Sequence, residues 1–258
     1  LYAICDDKNI SGENIIHVDN VLNSLQVLAN HHRCKFDIPI LGITGSNGKT
    51  TTKELLASVL EKDFNLLFTK GNLNNHIGVP LTLLQLRGNH EFAIVEMGAN
   101  KEGDIHELCQ IASPTYGLIT NIGVAHIEGF GSKEGVVKAK SEMYRYIINK
   151  NGVLFVNKNE PYLLPLTQNY SNCIEYGNGT NLFFNLNTDE SKLKLTIDGK
   201  FIKTNLFGSY NANNVLTAYV IAKQFGIKTC DIIKSLEEYS PNNNLSLIHI
   251  SEPTRLRS

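Results

Sequence analysis

The chain has 258 residues, of which 42% are hydrophobic, and a formal net charge of −1. That length allows one large or two modest domains with a sizeable core, and the near-neutral balance argues against a nucleic-acid or membrane-surface partner. No apolar run is long enough to span a bilayer, and the five cysteines, at 5, 34, 109, 173 and 230, form no CxxC pair, which suits a reducing compartment and excludes a cysteine zinc framework. The cytoplasm is the expected location.

Residues 1–5 read as a strand whose partners are missing. The sequence opens at Leu1 with no signal pattern and is read as a fragment. Over 18–33, Val21, Leu22, Leu25, Leu28 and Ala29 recur at helical spacing, with Asp19 or Asn20 as the cap. His31 and His32 close that helix, where they complement its dipole better than they would serve as ligands.

The stretch Ile-Leu-Gly-Ile-Thr-Gly-Ser-Asn-Gly-Lys-Thr-Thr-Thr (40–52) joins an apolar strand to a glycine-rich turn and a helix start. Glycines let backbone N–H groups close around an anion, the helix presents its positive end, Lys49 reaches terminal phosphates, and the Thr50 hydroxyl can bind Mg²⁺. The strict phosphate-loop spacing would put its first glycine at Ile43, whereas this chain has Gly42 and Gly45. A turn that is glycine-rich only for tightness is the competing explanation. The amphipathic helix that follows, with Leu55, Leu56, Val59 and Leu60 on one face, favours the nucleotide.

A short strand over 66–69 leads into an asparagine-rich loop, 70–80. Asn72, Asn74 and Asn75 there serve either ligand recognition or left-handed turns. The apolar run 92–95 is a buried parallel strand ending in Glu96, at the sheet edge where α/β proteins bind ligands, so Glu96 is placed to face the phosphates through Mg²⁺. The strand 116–120 repeats the pattern and puts His126 at the same edge. After Gly131, a helical stripe of Val136, Val137, Met143, Tyr144 and Ile147 has Lys140 at its centre, with Lys138, Glu142 and Arg145 on other faces as surface charges. An inward lysine must snorkel, find an anion or lose its charge, so Lys140 is either a snorkelling side chain or an amine with chemistry to perform.

Strands follow over 152–156 and 173–176. An antiparallel β segment with an Asp198-Gly199 turn occupies 181–207, residues 208–214 cap a helix to about 225, and a last helix covers 231–239. The fold class expected is α/β, a mostly parallel sheet flanked by helices with a phosphate loop, plus a small antiparallel segment. Residues 245–258 lack capping logic and read as the in-frame translation of a sequencing adapter, set aside as non-native.

Assembled in order, Ile-Thr-Gly-Ser-Asn-Gly-Lys-Thr (43–50), Gly-Asn-Leu-Asn-Asn-His-Ile-Gly-Val-Pro (71–80), Val-Glu-Met-Gly-Ala (95–99), Asn-Ile-Gly-Val-Ala-His-Ile-Glu-Gly-Phe-Gly-Ser (121–132) and Lys-Ala-Lys-Ser-Glu (138–142) resemble the Mur ligase family. The family's loop, Thr-Gly-x-x-Gly-Lys-Thr, accounts for the displaced glycine. Within the family the resemblance is to members that add D-alanyl-D-alanine to UDP-N-acetylmuramoyl-tripeptide. It implies an ATP-dependent ligase in peptidoglycan precursor synthesis, working through an acyl phosphate, as a monomer without nucleic acid or membrane insertion.

The resemblance places ATP against Gly45, Ser46, Asn47, Gly48, Lys49, Thr50, Thr51 and Asn214, and the muramoyl-peptide against Asn74 and Asn75. It puts Mg²⁺, two ions in all, on Thr50, Glu96, His126 and a carbamylated Lys140, with Lys49, Lys140 and His126 as catalytic groups. It implies a remnant of a UDP-substrate domain and linker helix at 1–37, a central ATP-binding domain at 38–244, and no third domain. Leu245 stands where the family has an arginine, and the expectation is a chain that is not a competent ligase alone. A single-amino-acid Mur ligase and a folylpolyglutamate synthase are alternatives against which the asparagine loop argues; a non-catalytic nucleotide-binding module is a third.

Overall fold

The computed structural model describes residues 2–123, 130–187 and 192–241. His126 and the tail 245–258 lie outside the described residues. Strand β1 (Ala3–Cys5) pairs in parallel with β2 (Ile15–His17), so the first strand does have a partner in this sequence. Helix α1 (Val21–Arg33) starts at Asn20, whose side chain accepts from the Asn23 amide. At its other end His31 is exposed, while a ring nitrogen of His32 lies 3.1 Å from the Leu86 carbonyl.

Six strands then build a parallel sheet: β3 (Ile40–Thr44), β4 (Leu66–Phe68), β5 (Phe92–Glu96), β6 (Tyr116–Ile119), β7 (Val153–Asn157) and β8 (Cys173–Tyr176), in the order β4-β5-β3-β6-β7-β8. Both β3 and β5 are buried along their whole length, as continuous apolar runs covered on two faces should be. Side chains alternate between two cores. Leu41, Ile43, Phe92 and Ile94 face one side, with α2 (Lys49–Leu60), α7 (Ala212–Gln224) and α8 (Thr229–Glu238). Ile40, Ala93 and Val95 face the other, with α3 (Gly78–Leu83), α4 (Asp104–Ala112), α5 (Lys133–Asn149) and α6 (Leu164–Thr167). The asparagine loop thus runs directly into α3, and α4 fills a stretch where no helix was expected.

The appended β segment is a three-stranded antiparallel sheet, β9 (Phe184–Asn187), β10 (Lys192–Ile197) and β11 (Lys200–Phe207), in the order β11-β10-β9. Asp198 and Gly199 both have positive φ, 52° and 69°, as a tight hairpin turn with the twist of the strands requires. A 3₁₀ turn, Ser209–Asn211, leads into α7, which puts Asn214 inside the helix near its start.

Gly42 explains the odd glycine spacing. It pairs in register with Gly117, and a Cβ on Gly42 would lie 3.2 Å from the Met143 terminal methyl, while one on Gly117 would lie 3.0 Å from Ile147 Cγ1. The two glycines form a flat strip on β3 and β6 that lets α5 come close to the sheet.

Helix α5 also corrects one reading. Glu142 is not a surface charge; it is 6% exposed, and its two oxygens accept from the Gly103 and His106 amides, 2.8 and 2.9 Å. It therefore caps the N-terminus of α4 from a neighbouring helix, where a carboxylate meets orphan N–H groups and the positive dipole end. Lys138 and Arg145 are exposed as expected. Glu142→Ala removes both acceptors, and urea unfolding is expected to show a loss of about 2 kcal/mol, against a smaller loss for Glu142→Gln.

Candidate functional site

The connection leaving β3 and the one leaving β6 diverge to opposite sides, and the crevice this opens at the carboxyl ends of the strands is where α/β sheets bind ligands. The loop 45–48 occupies it. Gly45 has φ +145° and a Cβ there would run into Thr120; Gly48 has φ +76° and a Cβ there would meet Asn214 Oδ1 at 2.5 Å. Residues 120–123 hold the loop. The Thr120 hydroxyl donates to the Asn47 carbonyl at 2.6 Å, Asn121 Oδ1 accepts from the Asn47 amide at 3.0 Å, and the Ser46 hydroxyl bridges the Gly123 amide and carbonyl.

Two cavities meet at this loop. One, of about 390 Å³, is lined by residues 46–51, Glu54, Asn121 and Asn214, with Leu206, Tyr210 and Tyr239 as an apolar wall. The other, of about 180 Å³, lies on the far side and is lined by Gly45, Ser46, Lys49, Asn74, Asn75, Asp104 and Lys140 among others. Lys49 borders both. Its ammonium donates to the Gly45 carbonyl at 2.7 Å and to that of Ser46 at 3.2 Å, and burial lowers its pKa against the opposing pull of Glu96. An open groove of about 790 Å³, which shares His76, Asn100 and Asp104 with the small cavity, continues outward past Gln26 and Glu107.

Glu96 ends β5 in register with Ile43, beside the start of the loop. It is 1% exposed. Its amide donates to the Thr69 hydroxyl at 3.0 Å; Oε1 accepts from Thr50 Oγ1 at 3.1 Å and from Asn74 Nδ2 at 2.9 Å; Oε2 lies 3.3 Å from Lys53 Nζ without an aligned hydrogen bond. Oε1, a buried carboxylate oxygen beside the Thr50 hydroxyl on the side away from Lys53, offers with that hydroxyl the hard-oxygen pair a Mg²⁺ takes. Among the described residues no cluster of three or more His, Cys, Asp and Glu could hold a metal ion unaided, so its other ligands would be phosphate and water.

Lys140 is 3% exposed and so faces inward with the stripe; of the two alternatives, snorkelling out to solvent is the one that does not occur. Burial pushes its pKa down to about 8, repulsion by Lys49 acts the same way, and Asp104 and Glu142 oppose them. Asp104 accepts from the Asn100 and Lys101 amides, 2.8 and 3.1 Å.

The profile of the Mur ligase middle domain matches residues 43–222. The chain belongs to the Mur ligase family. It is 38% identical over 231 residues to the UDP-N-acetylmuramoyl-tripeptide–D-alanyl-D-alanine ligase of Bacillus subtilis, covering 86% of this chain and 49% of that one. The structure of MurF from Acinetobacter baumannii superposes with a TM-score of 0.85 at 31% identity, over 94% of this chain and 55% of that one. MurF ligase from Thermotoga maritima in complex with ADP gives 0.79 at 26% identity, over 93% and 57%. The chain spans about half the length of the curated relatives it matches.

In this chain, Ser46, Asn47, Gly48, Lys49, Thr50, Thr51 and Asn214 all border the larger cavity, and Gly45, Asn74, Asn75 and Lys140 the smaller. The Asn214 carboxamide is engaged, accepting from Thr52 at 3.2 Å and donating to Asn211 at 2.9 Å. The loop asparagines divide their work. Asn74 binds Glu96, and Asn75 Oδ1 accepts from the Ile77 and Gly78 amides at the start of α3. Sequence reasoning missed Lys53 and Asp104. Lys53 had the signal that revealed Lys140, a lysine three, four and seven residues before Leu56, Ala57 and Leu60, all of them buried.

Lys140 gives this member of the Mur ligase family a pH signature. Between about pH 8 and 10.5 the unfolded chain binds a proton at this site that the folded chain has released, so stability rises with pH through that window; below it the cost of burying the charged amine is present in full and does not vary with pH. The stability of Lys140→Met relative to wild type, from urea unfolding, is expected to fall by about 1–3 kcal/mol across the window.

Proposed function

We propose that the protein serves ATP-dependent, ADP-forming amide synthesis, joining D-alanyl-D-alanine to UDP-N-acetylmuramoyl-tripeptide for peptidoglycan. The observation that carries this reading is Lys49 at the boundary of the two cavities. A nucleotide fits the larger one, its base against Leu206, Tyr210 and Tyr239 and its phosphates at the start of α2. That the similar T. maritima MurF structure is a complex with ADP supports a nucleotide as the ligand. A substrate carboxylate fits the smaller one, with the rest of an elongated peptide in the adjoining groove.

The Lys49 ammonium, turned from the loop carbonyls to the terminal phosphate, neutralises charge as the carboxylate attacks phosphorus and ADP leaves. The amine of the dipeptide then attacks the acyl carbon of the acyl phosphate, loses a proton and expels phosphate, closing the amide. Thr50 and Glu96 are the residues that would hold Mg²⁺, which supplies charge neutralisation at the phosphates. By the family resemblance His126 joins in holding a second ion and Asn75 contacts the peptide.

Lys140, with a substantial neutral fraction near its pKa of about 8, is suited to add to CO₂. Its nitrogen bonds the carbon and releases a proton, so a cation becomes an anionic carbamate able to share a metal. A cytoplasmic, monomeric protein accords with the reading, and all five cysteines are free thiols.

Calorimetry with ATP and Mg²⁺ on this chain is expected to show binding that Lys49→Ala weakens at least about tenfold. A folded wild type that binds no nucleotide would remove the reading. Carbon-13 NMR in labelled bicarbonate is expected to show a carbamate signal that disappears in Lys140→Ala.

A further inference from the structure

Lys53 is completely buried and belongs to none of the steps above. Thr50 and Lys53 stand three residues apart on α2 and so project from one face of the helix onto the same carboxylate. Thr50 takes Oε1 of Glu96, while Lys53 takes Oε2 at 3.3 Å. The Lys53 ammonium also donates to the Gly71 carbonyl at 3.2 Å and lies 3.8 Å from Glu54 Oε1 at the wall of the larger cavity. A lysine with no exposure is retained only with partners, and here its main partner is a residue suited to hold a metal.

That pairing has a consequence for cation binding. One face of the Glu96 carboxylate is already compensated by a fixed positive charge, so the pocket has little net attraction for a bare divalent ion. Among the described residues Glu96 and Thr50 belong to no cluster of three or more acidic, histidine or cysteine ligands. Phosphate oxygens have to supply both the missing ligands and the missing negative charge.

We propose that Lys53 is a positioning residue that holds Glu96 with Oε1 turned to Thr50 and, as a built-in counter-charge, restricts divalent-cation binding to the nucleotide-loaded site. The inference rests on the nucleotide reading above, but its decisive measurement uses metal alone. Mn²⁺ binding is followed by calorimetry and electron paramagnetic resonance, with and without ADP, on wild type, Lys53→Met, Lys53→Arg and the double variant Lys53→Met/Glu96→Gln. Wild type is expected to bind Mn²⁺ weakly without ADP. Lys53→Met is expected to bind Mn²⁺ alone about tenfold tighter or more, because the repulsive charge is gone and Glu96 has lost its ion-pair partner. Lys53→Arg, which keeps the charge, should behave as wild type, and Glu96→Gln in the double variant should cancel the gain.

Unchanged Mn²⁺ affinity in Lys53→Met, or an equal gain in Lys53→Arg, overturns the proposal. Mn²⁺ should also raise the melting temperature of Lys53→Met more than that of wild type. If Lys53→Met stays unfolded in Mn²⁺ while the double variant folds, metal cannot replace the ammonium and the proposal is likewise overturned. If neither folds, Lys53→Gln carries the same measurement. Failure of ADP to bind wild type at any Mn²⁺ concentration is a separate outcome, which defeats the nucleotide reading rather than the role of Lys53.

Discussion

The carboxyl edge of the sheet buries charge, and charge taken out of water must be compensated within a few ångströms or the fold does not hold. Lys53, Glu96, Asp104 and Lys140 are each at most 5% exposed, and they come from α2, β5, α4 and α5. None is tolerable alone. Glu96 needs Thr50, Asn74 and Lys53, Asp104 needs the amides that open α4, and Lys140 faces Lys49 with Asp104, Glu142 and the Phe130 ring to offset it. The elements that meet at this edge are thus bound to one another by electrostatic necessity as well as by packing, and the same cluster is the natural receiver for a phosphorylated ligand and its cation.

How much of this could be read from the sequence depended on the range of the interaction. The phosphate loop was legible because its parts are contiguous: strand, glycines, lysine, hydroxyl and helix start follow one another in 40–52. Lys140 was legible because helical periodicity reports which way a side chain faces. Glu96 was legible because a strand that is apolar throughout must end in the ligand-facing edge. Glu142 was misread by the same periodicity, since its two partners are amides of another helix and only the packing of α5 on α4 reveals them. Gly42 stands outside the family's loop pattern with no local reason, and its reason is a helix that arrives a hundred residues later.

The asparagine loop shows why residue type alone does not give a role. Asn74 and Asn75 are adjacent and chemically identical, yet one braces a carboxylate and the other starts a helix. Both still border the small cavity, so the loop connects whatever enters there to the position of Glu96. Lys53 reaches the same loop at the Gly71 carbonyl, which makes α2, the loop and β5 a single polar unit.

The glycine strip under α5 governs how the site tolerates change. Beneath α5, a Cβ at Gly42 would meet the terminal methyls of Met143 and Met97 at 3.2 and 3.5 Å, which can swing aside, whereas one at Gly117 would press on the β-branched Ile147 at 3.0 Å and lift the helix as a rigid rod. Lys140 rides on that rod. A methyl group introduced at Gly117, in the floor of the sheet, would therefore be transmitted as a displacement of the amine in the small cavity. A position that touches no ligand thereby sets the depth of the site that does.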